Sequence, residues 1–429
     1  MYRLLPWALL LIALFPSVWF AFSARELPQL GAHGEDSHYY NAALSLAEGR
    51  GYRATSVPGE PRLTRFPPGL PSLAAPFVYN RTVLSLLLWL LAPCSLALVF
   101  FWGRQQGLSH TAAAWICVPL GAFPGFVQAS ANMLPDLLAL TLVFATVYVV
   151  EQDSRGAALL GALAGVAAYL TSDTLWPGLC AVGVYLVWRR RYLQAALFAL
   201  LLLAAVLGWT SFVRVHADPT AEGLLRWYLG GPPSLRWSHF ALDGRTAAFA
   251  GVLVSAAWWL TRRRQLSAYV CFAVVSAATL PFAESNQTIL LLLLLPLPLA
   301  AIATLPYHAV VLGLAALGCL PSVSTAVADL QRHRKFHPVR SQAYFWIDAN
   351  TPASAQFLAT NDALLHAVTR RHGFNPRNLP SPTALAWQTG LDYLLATPLD
   401  PPTYQAAVRA DPFYETVYEH DGVLIRRRR

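Results

Sequence analysis

Two adjacent acids, Glu35 and Asp36, are followed at helical spacing by Tyr39, Tyr40, Ala43, Leu44 and Ala47, and then by Gly49 and Gly51. That pattern predicts a helix that opens on carboxylates and stops at the glycines. Arg62, Arg65 and the Pro67-Pro68 pair come later in the same polar stretch, Gly34 to Phe77, so one loop brings cations back toward the acids. Such a set suits group transfer from a phosphate ester. The acid takes the proton of an attacking hydroxyl, and a guanidinium neutralises the departing phosphate. Asp36 equally suits a helix N-cap, and Glu35 is the neighbouring carboxylate that could serve in its place. His38, beside them, reads as a surface histidine.

The composition sets the medium in which these groups work. Of 429 residues, 56% are hydrophobic and 12% charged, against roughly 25% charged in soluble domains. The chain is therefore read as a polytopic membrane protein. Its net charge of +9 is scattered between apolar runs with no basic domain, which argues against nucleic acid. Lys335 is the only lysine, so phosphate recognition falls largely to arginine, whose planar fork binds phosphate bidentately. The five cysteines, Cys94, Cys117, Cys180, Cys271 and Cys319, lie in apolar runs without metal spacing and read as packing residues. No His/Cys/Asp cluster commits to a metal.

Apolar runs of near-membrane length number eleven: 4–22, 82–101, 111–128, 134–150, 157–171, 175–188, 192–211, 246–260, 266–282, 288–304 and 307–323. The first is read as a retained helix, although Ala21-Phe22-Ser23 resembles a signal-cleavage site. Short basic clusters at Arg3, Arg104, Arg155, Arg189-Arg190-Arg191 and Arg262-Arg263-Arg264 mark alternate connections as cytoplasmic. The N-terminus is then inside and the first loop, 24–81, outside. Asp136, Asp173 and Glu284 fall on the same outer face as Asp36. Ionisable groups at a membrane edge are costly unless they pair or work, so four acids on one face point to a site there. Asp136 follows Pro135 and suits a helix start, or a second acid that orients the acceptor or holds a divalent cation. The second outer loop, Val213 to Arg245, carries Arg214, Arg226 and Arg236 with Trp227, Tyr228 and Trp237, a set suited to an interfacial anchor or to gripping a lipid or sugar.

The chain divides at about 325 into a membrane domain, 1–324, and a small α/β domain, 325–429, outside the cytoplasm. In the second part a helix is predicted over Tyr344 to Asn350, a strand over Ala355 to Thr360, and a helix from Asp362 to Arg371. Further strands are predicted at Tyr393 to Thr397, Phe413 to Tyr418 and Val423 to Arg427. The last two flank an Asp421-Gly422 step suited to a tight hairpin.

Several motifs, in order, resemble the C-type membrane glycosyltransferases, in the branch similar to protein O-mannosyltransferases and the lipid A aminoarabinose transferase. They are Asp36, Tyr39, Ala43, Gly49 and Gly51; Arg65-Phe66-Pro67-Pro68-Gly69; Asn132-Met133-Leu134-Pro135-Asp136; Gly208-Trp209 with Arg214; and Trp346-Ile347-Asp348-Ala349-Asn350-Thr351-Pro352. The chain departs from that family at Thr171-Ser172-Asp173 and Asn286-Gln287, on the donor side. The resemblance implies an α-helical polytopic enzyme of a bacterial inner membrane that moves a hexose or pentose from a polyprenyl phosphate to a lipid, glycan or protein, with inversion. Taking the resemblance together with the outer-face acids and loop arginines, Asp36 would be the base, Asp136 a second catalytic acid, and Glu35, Tyr39, Arg62, Arg65, Asp173, Arg214 and Glu284 the substrate contacts. A non-catalytic transporter or flippase of lipid-linked sugars is the alternative, but it calls for polar residues at mid-membrane or broken helices in paired positions. Here polar residues gather at the outer ends of the runs.

Overall fold

The computed structural model describes residues 4–24, 35–152, 154–217, 244–263, 266–279, 287–376, 386 and 389–429. Each of the eleven apolar runs is mainly helical over its described residues. The helices are α1 (Leu5–Ala24), then α2 (Glu35–Ala47) and α3 (Gly69–Ala74) in the first loop, α4 (Arg81–Gln105), α5 (His110–Gly121), α6 (Pro124–Ala129), α7 (Asp136–Val150), α8 (Arg155–Thr171), α9 (Trp176–Trp188) and α10 (Tyr192–His216). They continue with α11 (Gly244–Arg263), α12 (Ala268–Thr279), α13 (Gln287–Leu294), α14 (Pro296–Ala303) and α15 (His308–Asn350).

Among the described residues, α1, α4, α10 and α15 are long and apolar enough to cross a membrane by length and composition. Shorter apolar helical stretches lie at Asp136–Val150, Gly156–Thr171, Ala250–Thr261, Ala268–Ala278 and Leu290–Ala303. Two runs are broken. The third splits ahead of Pro124 and the tenth ahead of Pro296, each proline opening the following helix, where its missing N–H costs nothing. Ser109 and Ser154 cap α5 and α8, their hydroxyls accepting from Ala112 N at 3.1 Å and Ala157 N at 3.2 Å.

The change of composition at 325 brings no change of backbone. The helix predicted over 344–350 is the end of α15, which spans 43 residues. Val323, Ala326, Val327 and Leu330 of that helix still pack on Phe20 and Ala24 of α1 and on Val127 and Ala131. Only from Ala343 do its buried side chains join the core of a sheet.

That sheet has five strands, β1 (Gln356–Ala359), β2 (His372–Phe374), β3 (Tyr393–Ala396), β4 (Tyr414–His420) and β5 (Val423–Arg428), in the order β2-β1-β3-β5-β4. Strand β1 is parallel to both β2 and β3, whereas β5 is antiparallel to β3 and β4. Helices α16 (Asp362–Thr369) and α17 (Pro402–Ala410) accompany it. The β4–β5 turn holds Asp421 at φ 46° and Gly422 at φ 82°, the two left-handed residues that a tight hairpin of this kind needs. Strand β2 and α17 have no counterpart in the sequence reading, since three residues show no alternation.

The Asp348–Thr351 motif is a joint. The buried Arg371 donates from Nη2 to the Asp348 carbonyl at 3.0 Å and the Thr351 carbonyl at 2.9 Å, and from Nε to Thr351 Oγ1 at 3.3 Å. It thereby satisfies carbonyls left open where α15 ends.

Candidate active site

Helix α2 forms where the acids and tyrosines placed it, and Gly49 (φ 73°) and Gly51 (φ 81°) end it in the left-handed region that glycine adopts without strain. Asp36 lies in its first turn and is fully buried, its Oδ1 accepting from the Ser37 backbone N–H at 2.6 Å and the Ser37 hydroxyl at 3.0 Å. Glu35 is half-buried beside it.

One turn further on, Tyr39 is the meeting point. Its ring lies 5.0 Å from Phe66, and Glu35, Tyr52, Asp136 and Asp173 all act on it electrostatically. Burial first, and then the charge of Glu35, pushes the Tyr39 phenol well above its ordinary pKa, so it stays a hydrogen-bond donor. Glu35 also acts on Asp136, which is buried at the start of α7. Three carboxylates from three separate segments thus act electrostatically on one phenol.

The return of the first loop closes this arrangement. Arg53 and Arg62 form an isolated antiparallel bridge, and the Tyr52 hydroxyl donates to the Phe66 carbonyl at 2.9 Å. The guanidinium of Arg62 lies over Gly51, where an added Cβ would sit 2.5 Å from Nη1. Arg62 and Arg65 are both half-buried. After Pro68, Gly69 meets the end of α8 so closely that a Cβ there would lie 2.7 Å from the Leu170 carbonyl oxygen. A glycine straight after two prolines was the available signal for that approach.

Two residues beyond Thr171 stands Asp173, whose Oδ2 accepts from the Trp209 indole N–H at 3.4 Å. Trp209 in turn lies edge-on to Tyr52 at 6.5 Å. Burial raises the pKa of Asp173 against the hydrogen bonds from Trp209 and from backbone N–H groups. The segment that departs from the family pattern therefore lies within the same cluster.

The sheet domain sits on α2. Asn41 Nδ2 donates to the Ala363 carbonyl at 2.8 Å, the Gly373 N–H to the Ser56 carbonyl at 2.8 Å, and Arg370 pairs with Glu48 at 3.6 Å. His38 is not the surface histidine expected. It is buried, lies 3.7 Å from Asp362, and stacks near Phe66 at 6.3 Å, because α16 covers the face of α2 that a lone loop would leave in water. No local pattern could reveal a partner 324 positions away.

Not all the expected contacts are gathered here. Arg214 is exposed in the last turn of α10, five residues beyond Trp209. Glu284, together with Arg226, Arg236 and the aromatics near them, lies outside the described residues. Cys117 is buried, but Cys94 and Cys180 are exposed on the outside of the bundle and pack no core. Among the described residues no group of three His, Cys, Asp or Glu is placed to hold a metal ion.

No family model matches the chain, and no curated protein matches it. Solved structures do. ArnT from Cupriavidus metallidurans bound to undecaprenyl phosphate is similar at 14% identity and a TM-score of 0.58, over 99% of this chain and 97% of that one. The apo state of the same protein gives 15% identity and a TM-score of 0.54, over 91% and 92%. The chain shares, over nearly its whole length, the fold of ArnT.

Proposed function

We propose that this protein is a membrane glycosyltransferase that uses a polyprenyl-phosphate sugar as donor and acts on the outer face of the membrane, most simply a bacterial inner membrane. The observation that carries the reading is that Glu35, Asp136 and Asp173, from three segments, all act on the buried Tyr39 of the first loop, which also supplies Arg62 and Arg65. The ArnT structure that holds undecaprenyl phosphate supports the choice of donor.

In this mechanism Asp36 accepts the proton of the acceptor hydroxyl as its oxygen bonds to the anomeric carbon from the face opposite the phosphate. The bond from that carbon to the phosphate oxygen breaks, the configuration inverts, and the polyprenyl phosphate leaves with its charge neutralised by Arg65, assisted by Arg62. The Ser37 N–H and hydroxyl orient the Asp36 carboxylate. Tyr39, kept as a donor, binds a sugar or acceptor oxygen among the acids, with Asp136 orienting the acceptor. Asp173, Glu35, Arg214 and Glu284 complete the substrate contacts, and the sheet domain holds α2 in place from above.

The experiment is transfer by the purified, reconstituted protein from a panel of polyprenyl-phosphate hexoses and pentoses to membrane lipid, glycan and protein acceptors, with the anomeric configuration of the product read by NMR. Product of inverted configuration is expected from a polyprenyl donor. Transfer from a nucleotide sugar without polyprenyl phosphate would overturn the donor assignment, and flipping of the intact donor without a covalent product would make the protein a transporter.

A further inference from the structure

The opposite end of the bundle carries a basic notch that the transfer reaction does not use. Helix α9 runs away from Asp173 to Trp188, and α10 returns from Tyr192 to Trp209, about 26 Å at 1.5 Å per residue. That is close to the thickness of a hydrocarbon core, so the α9–α10 turn lies at the other membrane boundary. There Trp188, Arg189, Arg190 and Arg191 line an open notch of ≈ 430 Å³.

The turn is held in place. Arg191 Nη1 donates to the Val150 carbonyl at 2.9 Å and to the Gln152 carbonyl at 3.0 Å, which fixes the notch to the end of α7. Arg189 acts electrostatically on Glu151, itself bound by Ala268 N–H at 2.7 Å and Gln106 Nε2 at 2.6 Å. Arg190 stands at φ 59°, in the left-handed region where a helix end ordinarily uses glycine. A bulky cation between two others, in a conformation that glycine would take without strain, points to a use for the charge. Around it the surface is apolar: Trp188 is 72% exposed and Leu193 86%. Cations bordered by lipid-facing aromatic and aliphatic groups match a headgroup whose phosphate lies at the boundary and whose chains lie along the helices.

We infer that the Trp188–Arg191 notch binds the phosphate of an anionic phospholipid in the leaflet opposite the candidate active site, through Arg189 and Arg190 with Trp188 against the acyl chains. This site stands independently of the transfer mechanism.

The test uses the full chain in detergent, with bound lipid counted by native mass spectrometry after titration with phosphatidylglycerol or phosphatidylcholine. Wild type is expected to retain phosphatidylglycerol selectively. The double variant Arg189→Gln/Arg190→Gly should lose that affinity by roughly thirtyfold, the attraction expected of two arginines near an anionic headgroup. The charge-matched variant Arg334→Gln/Lys335→Gln, altered on the exposed surface of α15, should behave as wild type. Should the double variant unfold without lipid, Arg190→Gly alone, which suits the turn, carries the test with a smaller loss. Equal retention by wild type and the notch variants overturns the inference. So does displacement of the lipid by millimolar inorganic phosphate, which would make the notch a simple phosphate site.

Discussion

The two ends of the bundle surround their acids differently. At one end Glu151 meets donors and cations: the Ala268 N–H, the Gln106 amide and the nearby Arg189. At the other, Glu35 acts on Asp136, and both act with Asp173 on the Tyr39 phenol, while Asp173 accepts from the Trp209 indole. Opposite charges brought together stabilise a helix junction, whereas like charges brought together raise the energy of the folded state. The first arrangement explains itself as architecture. The second calls for a ligand or a reaction to justify it.

The sharpest way to break this comparison is Asp36→Asn. Asparagine keeps the shape and can accept from Ser37, but it cannot take the acceptor's proton. Transfer should fall by about a hundredfold or more, with the unfolding midpoint near that of wild type. Turnover close to wild type in a folded Asn variant would move the base to Glu35 or Asp136.

A backbone change at the same end should act through position. In Gly69→Ala the new methyl would meet the Leu170 carbonyl at 2.7 Å, and neither backbone can yield cheaply. A cost of about 1–3 kcal/mol is expected, together with a drop in turnover larger than the lost stability explains, because Arg65 and Phe66 move with the loop. Unchanged turnover would show that the loop's contact with α8 does not position the site.

At the opposite end, Glu151→Ala should do the reverse. It leaves the buried Ala268 N–H and the half-buried Gln106 amide without their acceptor, at about 1–3 kcal/mol. Glu151→Gln keeps an acceptor and should cost less. Transfer per folded molecule should hold in both, and a turnover defect would mean that the two ends are coupled.

Legibility in the sequence followed the same division. The helical runs, α2 with its glycine stops, and the strands at 356, 393, 414 and 423 were visible because periodicity and turn residues are local signals. The unbroken α15 was not, since the composition changes at 325 and the helix runs through Pro321 and Pro338, residues that ordinarily break one. Within the site, Asp36 and Tyr39 stood out by spacing. The pairings His38 with Asp362, Asp173 with Trp209 and Gly69 with Leu170 did not, because each joins distant segments whose approach is set by packing.

The smallest effect is the most diagnostic of the contrast. Burial raises the pKa of Asp173, so ionising it costs the folded state more than the unfolded chain. A carboxylate shifted upward contributes stability below its unfolded pKa, about 3.9 for aspartate, and loses it as pH rises through the folded value. Asp173→Asn removes that penalty while its side-chain oxygen still accepts from the Trp209 indole. The variant should therefore unfold a few degrees higher than wild type at neutral pH, and the gain should shrink to nothing as the pH falls below the ordinary carboxylate range. Transfer should drop at the same time if Asp173 contacts substrate. A gain in stability joined to a loss of activity is the pattern of a group kept for function. Thermal unfolding of both proteins across that pH range, with turnover at neutral pH, decides the matter: a variant less stable than wild type at neutral pH would make Asp173 a structural partner of Trp209, like Glu151 at the other end.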